Sequence, residues 1–308
     1  MNILFFGTSD FAVLPLDSIY QSTHRILGVV TQPDKKSGRS LQVNDFPVKI
    51  YANRYKLPVF QPGKFDDKFL AEISRIQPDI CVVIAYGKML TKKLLSLPKF
   101  FTINLHPSLL PKYRGAAPIN WAIINGEKKT GVSIIRLNEK MDQGDTISRE
   151  DVVIAADDDA ITLSKKLSIK GADLLMKMLD EPSLGSIAFT KQDEQKATYA
   201  KKLTKKDGLI NWNLDAAKIL NLIKGLLPWP TAYTYYDKTM VKMYSAEITS
   251  GKNAKAGEII KSDNELIIGT GFKCLKINEL QAASGKKMDA ASYLRGHSMK
   301  QGSYFTNG

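Results

Sequence analysis

Three residue types that together suit acyl transfer stand in two short segments of this 308-residue chain. Asn104 and His106 lie at the end of an apolar run, and Asp142 follows within the sequence MDQGD. Because residues two apart on an extended strand point to the same face, the amide and the imidazole are expected to face the same way. An amide can stabilise an oxyanion, an imidazole can move a proton, and a carboxylate can orient and charge the imidazole. Asn104, His106 and Asp142 are therefore the candidate catalytic residues.

Each of these residues also has a purely structural interpretation. A single histidine is often a packed structural side chain, Asn104 would serve equally as a turn-capping amide, and Asp142 as a loop carboxylate before Gly144. The position of His106 favours catalysis, because it follows an apolar strand directly before Pro107. Ligands bind at that end of the strands in open α/β sheets. No metal site is expected, since no two-histidine-plus-carboxylate set is present.

The elements that must position these residues alternate between strands and helices over the first half of the chain. Continuous apolar strands separated by helices predict a mostly parallel sheet covered on both faces. The predicted strands are Asn2–Phe6, Arg25–Thr31, Ile80–Ala85, Phe101–Leu105, Thr130–Leu137 and Thr146–Ile154. The predicted helices are Asp10–Tyr20, Pro47–Tyr55, Lys68–Ile76, Ala116–Asn125 and Ala160–Leu179.

The turn Gly7–Ala12, after the first strand, is where a dinucleotide would bind in a fold of this kind. Ser9 and Ala12 stand where the G-x-G-x-x-G fingerprint has glycines. A serine side chain obstructs the close approach of the backbone to a pyrophosphate. NAD is therefore not expected, and the turn is interpreted as a tight strand-to-helix connection.

The composition changes after the long helix, which predicts a second domain. Residues 181–206 are rich in Lys, Gln, Asp and Ser and poor in large apolar residues, as a linker would be. One helix and several short strands separated by turn residues then predict a small β-barrel with one helix. That helix is Asn213–Leu226, and the strands are Ala232–Tyr236, Met240–Ile248, Gly257–Ile260, Glu265–Thr270 and Leu275–Leu280. The predicted organisation is a catalytic domain at 1–182, a linker at 183–206 and a barrel domain at 207–308.

The chain is strongly basic, with 44 Lys and Arg against 31 Asp and Glu and a net charge of +13. More than half of this excess lies after residue 200, and two basic runs stand out, TQPDKKSGR at 31–39 and KKLTKKDG at 201–208. Lysine and arginine at such positions contact phosphates in nucleic-acid complexes. Solvated surface lysines are the alternative interpretation, but two runs together with a basic C-terminal region favour an RNA partner.

Cysteine usage and the N-terminus bear on the compartment. Cys81 and Cys274 are far apart in sequence and form no disulfide framework. The chain opens into a strand rather than a signal peptide, and no apolar run is long enough to span a bilayer. A cytoplasmic protein without a membrane partner is expected.

Taken together, the motifs resemble the folate-dependent formyltransferases over nearly the whole chain. The Asn-His-Pro-Ser block with its later aspartate is the most specific part of this resemblance, and the basic loop and C-terminal region are less specific. The resemblance implies an α/β, Rossmann-like formyltransferase domain with a mostly parallel sheet, joined to a smaller C-terminal OB-like β-barrel. The matching segments are FFGTSDFA, TQPDKKSGR, VVIAYG, INLHPSLLPKYRGAAPIN, MDQGD, TYAKKLTKKDGLINW, PWP and YLRGH.

The resemblance also implies the substrates and the site residues. The donor would be 10-formyltetrahydrofolate, the acceptor would be the α-amino group of methionyl initiator tRNA, and no metal would take part. Asn104, His106 and Asp142 match the catalytic positions of the family. The matching folate-contacting residues are Tyr86, Gly87, Leu90, Ser108, Leu109, Leu110 and Pro111. The matching tRNA-contacting residues are Lys35, Lys36, Arg39, Lys205 and Lys206. A bacterial monomer is expected.

Three other functions are alternatives to this one. The first is formyl transfer to a small amine. An enzyme acting on a purine-pathway ribonucleotide would not need the C-terminal hundred residues, and one acting on an amino-sugar nucleotide would have no reason to keep two basic runs. A hydrolase would release formate, with water in place of the amine. An RNA-binding protein with an inactive catalytic domain would have no need for all three of Asn104, His106 and Asp142.

Overall fold

The computed structural model describes residues 1–37, 42–182, 184–251, 254–283 and 285–307. For residues 35–37 and 42–44 it describes the backbone alone. The chain forms two compact units. Unit 1 comprises Met1–Pro118, Lys129–Val153 and Ser164–Ala200. Unit 2 comprises Ile119–Lys128, Ile154–Leu163 and Lys201–Gly308.

Strands and helices alternate in the first half of the chain, and strands dominate the last third. The strands are β1 (Asn2–Gly7), β2 (Arg25–Val30), β3 (Lys35–Ser37), β4 (Gln42–Asn44), β5 (Val59–Phe60), β6 (Ile80–Ile84), β7 (Thr102–His106), β8 (Arg114–Gly115), β9 (Lys129–Arg136), β10 (Thr146–Val153), β11 (Tyr199–Ala200), β12 (Ala232–Tyr236), β13 (Thr239–Thr249), β14 (Ile259–Lys261), β15 (Leu266–Gly269), β16 (Cys274–Ala282) and β17 (Met288–Asp289). The helices are α1 (Val13–Tyr20), α2 (Pro47–Arg54), α3 (Asp67–Ile76), α4 (Lys92–Leu95), α5 (Pro118–Ile124), α6 (Ala160–Leu179), α7 (Ala216–Gly225) and α8 (Ala290–Gly296).

Unit 1 is built on a seven-stranded sheet in the order β10-β9-β7-β6-β1-β2-β5. The five strands from β7 to β5 are parallel, while β9 pairs antiparallel with β7 and β10 with β9. The chain leaves β1 for β2 on one side and later returns to β6 on the other. This change of direction is the switch point at which open α/β sheets bind ligands.

The sequence explains why these strands occupy the middle of the sheet. Every residue of β6 is buried, as its unbroken apolar run requires in a sheet covered on both faces. α6 packs tightly on β7, since a Cβ on Gly171 would lie 2.7 Å from a Leu105 side-chain carbon. Ser168 of α6 also donates to the carbonyl oxygen of Phe11 at 2.9 Å. The strand that ends in His106 is thus held from one face by a 20-residue helix.

Unit 2 contains an antiparallel sheet in the order β12-β13-β16-β15-β14, with β17 paired to β16. The C-terminal segment joins its two edge strands. Tyr235 of β12 donates its N–H to Thr306, and Ile259 of β14 donates its N–H to Ser303, at 3.0 and 2.8 Å. The curled sheet forms a half-barrel, which is consistent with an OB-like domain.

The predicted fold class is confirmed: unit 1 has a Rossmann-like, mostly parallel sheet, and unit 2 is a smaller β domain. Most predicted helices and strands are present within one to three residues of their predicted ends. One helix is predicted in the barrel, whereas the structure contains a second, α8. This seven-residue helix is capped at its first turn by Asp289, which accepts the Ser292 N–H at 2.8 Å. Its shortness left no periodic pattern to detect.

The region predicted to be a linker, 183–206, is divided between the two units. Residues 184–200 belong to unit 1, where Thr190 pairs with Thr146 and β11 pairs with β8. These contacts are main-chain hydrogen bonds, so a polar sequence can make them without any apolar pattern. This segment therefore lies in the same unit as the candidate site residues.

Across the described ranges, no helix is both long enough and apolar enough to cross a membrane. Among the same residues, no group of three or more His, Cys, Asp and Glu side chains is placed to hold a metal ion.

Candidate active site

A cavity of about 350 Å³ opens in unit 1 at the carboxyl ends of β6 and β7, beside the switch point. All three candidate catalytic residues line it. Tyr86, Gly87 and Leu90, predicted to contact folate, also line it. Its mainly apolar wall is completed by residues that include Val83, Met89, Leu95, Leu105, Leu137 and Met141.

His106 is the last residue of β7, and both of its ring nitrogens face oxygen atoms. Nε2 lies 2.9 Å from the carbonyl oxygen of Tyr113, to which it donates. Nδ1 lies 3.7 Å from Oδ1 of Asp142, with only 5% of the histidine side chain and 14% of the aspartate side chain exposed. Because a carbonyl oxygen accepts and cannot donate, Nε2 carries a proton, and Nδ1 is the nitrogen that faces the carboxylate.

Asp142 has an unusual backbone conformation, with φ +52° in the left-handed region. Its second carboxylate oxygen, Oδ2, accepts the N–H of Gly115 at 2.7 Å. The carboxylate is therefore fixed by β8 on one side and faces His106 with the other oxygen. Gly144 completes this turn, because a Cβ there would lie 1.7 Å from the carbonyl oxygen of Arg136.

Asn104 lies two residues before His106 on β7 and lines the same cavity, as the strand alternation predicts. Its side-chain amide makes no hydrogen bond to any residue that the structure describes. An unengaged amide in an apolar cavity is free to donate to a substrate oxygen that gains negative charge.

The opposite wall of the cavity is fixed by the turn after β6. The carbonyl oxygen of Tyr86 accepts hydrogen bonds from Thr8 Oγ1 at 3.1 Å and Gln32 Nε2 at 2.7 Å. Gly87 has φ +81°, and a Cβ there would lie 2.5 Å from the Gln32 amide nitrogen. Burial raises the pKa of the Tyr86 phenol to about 12, and its ring packs edge-on against Phe6. Tyr86 is thus a neutral, fixed part of the wall.

A buried arginine and a glutamine, which the sequence analysis did not single out, support the Asp142 turn. Arg114 is fully buried and donates to Gln192 and Glu194. Gln192 in turn donates to the carbonyl oxygens of Asp142 and Gly144 at 2.8 and 2.7 Å. The only sequence signal was an arginine inside an otherwise apolar block, and nothing local indicates a partner 78 residues away.

The sequence profile described as Formyl transferase matches residues 1–179, and the profile described as Formyl transferase, C-terminal domain matches residues 202–298. The chain belongs to the formyl transferase family. The resemblance seen in the sequence is thereby confirmed, and the cavity at β6 and β7 is the candidate active site of a formyl transferase.

Individual relatives agree with the family match. The methionyl-tRNA formyltransferase of Caldanaerobacter subterraneus subsp. tengcongensis is 44% identical over 305 residues, covering 98% of this chain and 99% of the relative. The methionyl-tRNA formyltransferase of Sulfurihydrogenibium sp. is 43% identical over 310 residues, covering 99% and 100%. The N-formyltransferase of Helicobacter canadensis, solved with folinic acid and dTDP-3-aminofucose, shares the fold with a TM-score of 0.68 at 18% identity, covering 93% of this chain and 99% of that one.

The second group of predicted folate contacts, Ser108–Pro111, does not line the cavity. Ser108 is fully buried, and its hydroxyl donates to the carbonyl oxygen of Lys112 at 2.6 Å. The N–H of Leu110 donates to Ser133 at 3.1 Å, while Leu109 lies in a separate surface depression beside Arg149. Their contact with folate stays a prediction, and the N–H of Ser108 donates to the carbonyl oxygen of His106 at 2.9 Å.

The predicted RNA-contacting residues fall into two groups. Arg39 lies outside the described residues, and for Lys35 and Lys36 the structure gives only the backbone of β3. Lys205 and Lys206 are exposed in a short 3₁₀ helix of unit 2 and have no acidic partner among the described residues. Lys201 differs, because it pairs with Asp207 at 2.6 Å. The charges of Lys205 and Lys206 therefore remain available to phosphate.

Proposed function

We propose that this formyl transferase moves the formyl group of 10-formyltetrahydrofolate to the α-amino group of methionyl initiator tRNA. Full-length similarity to enzymes named methionyl-tRNA formyltransferase, at 44% identity, is the observation that supports this acceptor. The cavity lined by Asn104, His106 and Asp142 supports the chemistry. Lys205 and Lys206, together with the basic loop around Arg39, would contact the tRNA phosphates.

The reaction needs little base catalysis, because an α-amino group has a pKa of about 7.7–8.0 and is partly neutral near pH 7. Its nitrogen attacks the formyl carbon to give a tetrahedral oxyanion. The Asn104 amide donates to that oxygen, and the charged Nδ1 side of His106 faces the same region. The bond from the formyl carbon to folate N10 then breaks, and the proton lost by the amine ends on N10. The products are the N-formylated methionyl ester and tetrahydrofolate.

Asp142 has a specific part in this scheme. Its carboxylate, 3.7 Å from Nδ1, stabilises the positive charge of His106 without removing its proton. Asp142→Asn keeps the shape and removes the charge. It is expected to lower kcat by about 100-fold or more, with Kd for tRNA changed by less than about threefold. Equal losses in kcat and in tRNA affinity would contradict this role.

The folate donor is assigned to the same cavity. The apolar wall with Tyr86, Gly87 and Leu90 suits a flat aromatic ring system, and main-chain groups at its rim would orient the ring. Leu90→Lys is expected to raise KM for the folate at least tenfold and leave Kd for tRNA unchanged. An unchanged KM for the folate would place the donor elsewhere.

The decisive test is transfer of labelled formyl from 10-formyltetrahydrofolate, with initiator methionyl-tRNA, elongator methionyl-tRNA, an amino-sugar nucleotide or no acceptor. Acid-precipitable label on the initiator alone is expected. Label on the sugar nucleotide would favour a small-amine acceptor, and formate release without acceptor would favour a hydrolase.

Arg39→Ala should weaken tRNA binding and reduce its salt dependence. A normal KM for tRNA in that variant would overturn the loop assignment.

A further inference from the structure

The turn that presents Asp142 is held by a side chain from a distant part of unit 1. Gln192 Nε2 donates to the carbonyl oxygens of Asp142 and Gly144 at 2.8 and 2.7 Å. Its Oε1 accepts from Nε and Nη2 of Arg114 at 3.1 and 2.9 Å. A guanidinium only donates and carbonyl oxygens only accept, so the orientation of this amide is unambiguous.

Arg114 is itself immobilised. Its side chain is completely buried, and Nη1 and Nη2 make a bidentate pair with the two oxygens of Glu194, both at 2.8 Å. The hydrogen bond to Glu194 raises the pKa of the guanidinium, so Arg114 remains charged. The adjacent N–H of Gly115 donates to Asp142 Oδ2 at 2.7 Å. Both residues of β8 thus contact the Asp142 turn: Gly115 binds the carboxylate directly, and Arg114 acts through Gln192.

The turn needs such support because its backbone conformation is unfavourable. Asp142 has φ +52°, a region in which the Cβ of an L-residue is crowded by its own backbone. The two carbonyl groups that accept from Gln192, those of Asp142 and Gly144, lie on either side of Gln143. The turn is therefore held at both ends. Without them the Asp142 backbone is free to relax to negative φ, which swings the carboxylate away from Nδ1 of His106.

We propose that Gln192 and Arg114 are positioning residues for formyl transfer, and that they hold the Asp142 carboxylate at its distance from His106. This inference rests on the proposed role of Asp142. Gln192 touches neither substrate nor reacting atoms, so its effect passes through Asp142. A displacement of about 1 Å in a catalytic group can lower a rate about 100-fold.

The test uses Gln192→Leu, which keeps the approximate size of the side chain and removes both donors. Gln195→Leu is the matched control, because Gln195 is an exposed glutamine three residues later whose side chain makes no hydrogen bond to any described residue. We expect Gln192→Leu to lower kcat by about 10- to 100-fold with KM for folate and tRNA within about twofold. Gln195→Leu should have wild-type kinetics.

A double-mutant cycle with Asp142→Asn separates positioning from a general structural role. If Gln192 acts through the Asp142 carboxylate, Gln192→Leu should cost less than about threefold in kcat in the Asp142→Asn background. If the two substitutions lower kcat multiplicatively, the proposal is wrong. It is also wrong if Gln192→Leu lowers kcat in both backgrounds and lowers the melting temperature by the same amount in each. Wild-type kcat in Gln192→Leu would also overturn the proposal.

The cycle also distinguishes this proposal from the assignment on which it rests. Wild-type kcat in Asp142→Asn alone would remove the proposed role of Asp142, and the positioning proposal would fall with it. A large loss in Asp142→Asn together with wild-type kcat in Gln192→Leu would leave the role of Asp142 intact and refute positioning by Gln192. Circular dichroism of each variant, measured beside the kinetics, confirms that the compared proteins are folded.

Discussion

Nε2 of His106 lies 2.9 Å from the main-chain carbonyl oxygen of Tyr113 and is therefore already engaged as a donor. Only Nδ1, on the side of Asp142, remains for the reactants. The carbonyl oxygen is held in place, because the N–H of Arg114, in the same peptide group, donates to the carbonyl oxygen of Thr198 at 2.9 Å. Under the proposed function, Nδ1 is therefore the ring nitrogen that we expect to face the reactants.

This assignment can be tested with two amides. His106→Asn places its nitrogen near the position of Nδ1, whereas His106→Gln places it near Nε2. Neither amide can transfer a proton as an imidazole does, so kcat is expected to fall by about 100-fold or more. Because Nδ1 faces the reactants, His106→Asn should retain several-fold more activity than His106→Gln. A more active glutamine variant would contradict the assignment.

Asn104 is expected to act on the transition state rather than on binding. Asn104→Ala should lower kcat by about 100- to 1000-fold, the usual cost of losing one oxyanion donor, with Kd for the folate nearly unchanged. Asn138 provides a control within the same cavity, because its Oδ1 already accepts the N–H of Lys140 at 2.9 Å. Asn138→Ala should change kcat only a few-fold, and similar losses in the two variants would argue against an oxyanion role.

Lys49 is expected to support tRNA binding from outside the basic loop. Its ammonium contacts Asp34 at 2.5 Å and Asp45 at 2.9 Å, one residue on each side of the β3–β4 hairpin. Lys49→Met removes both contacts and should raise KM for tRNA several-fold without changing KM for the folate. Lys93→Met is the control, since Lys93 pairs with Asp67 in an exposed ion pair, and such pairs contribute little. A parallel rise in both KM values would indicate general destabilisation.

Lys205 and Lys206 should contribute to the salt dependence of tRNA binding. Each phosphate contact adds about 0.7–0.9 to the slope of log K against log salt. Lys205→Ala with Lys206→Ala is therefore expected to reduce that slope by about 1.5, as measured by filter binding at several salt concentrations. Lys261→Ala with Lys276→Ala should leave it nearly unchanged, because Glu265 already pairs with both lysines. An unchanged slope in the first variant would remove these residues from the interface.

The two thiols should be unreactive in the folded protein. Burial raises the pKa of the Cys81 thiol to about 12 and also raises the pKa of Cys274. Since the thiolate is the reactive form, little of it is present at pH 8. A thiol reagent should give almost no signal with native protein and two equivalents after unfolding in guanidinium. Rapid labelling of one thiol in native protein would contradict the burial.

The sequence predicted the residues whose placement depends on local pattern. The apolar run of β7 brings Asn104 and His106 to one face at the end of a strand. The alternation of strands and helices then predicts that β7 lies within a mostly parallel sheet. Asp142 was selected as the carboxylate of the segment MDQGD, and the structure places it opposite His106.

The remaining features depend on contacts that leave no local signal. β8 and β11 are two-residue strands that no periodicity reveals. Gln192 lies in a polar stretch that resembles a linker, and its role arises only from a buried arginine far away in sequence. The turn Ser108–Pro111 illustrates the opposite case, because a family motif identifies the segment but does not specify which of its side chains face the cavity.

The bonds between Arg114 and residues 192–194 have a consequence for the order of synthesis. Asn104, His106 and Asp142 have all been synthesised long before Gln192 and Glu194 are added. During synthesis, the nascent chain therefore holds the three candidate catalytic residues before it holds the segment that bonds to the Asp142 turn. A fragment ending after α6 would contain all three groups and most of the sheet, yet it would leave the Arg114 guanidinium without either partner.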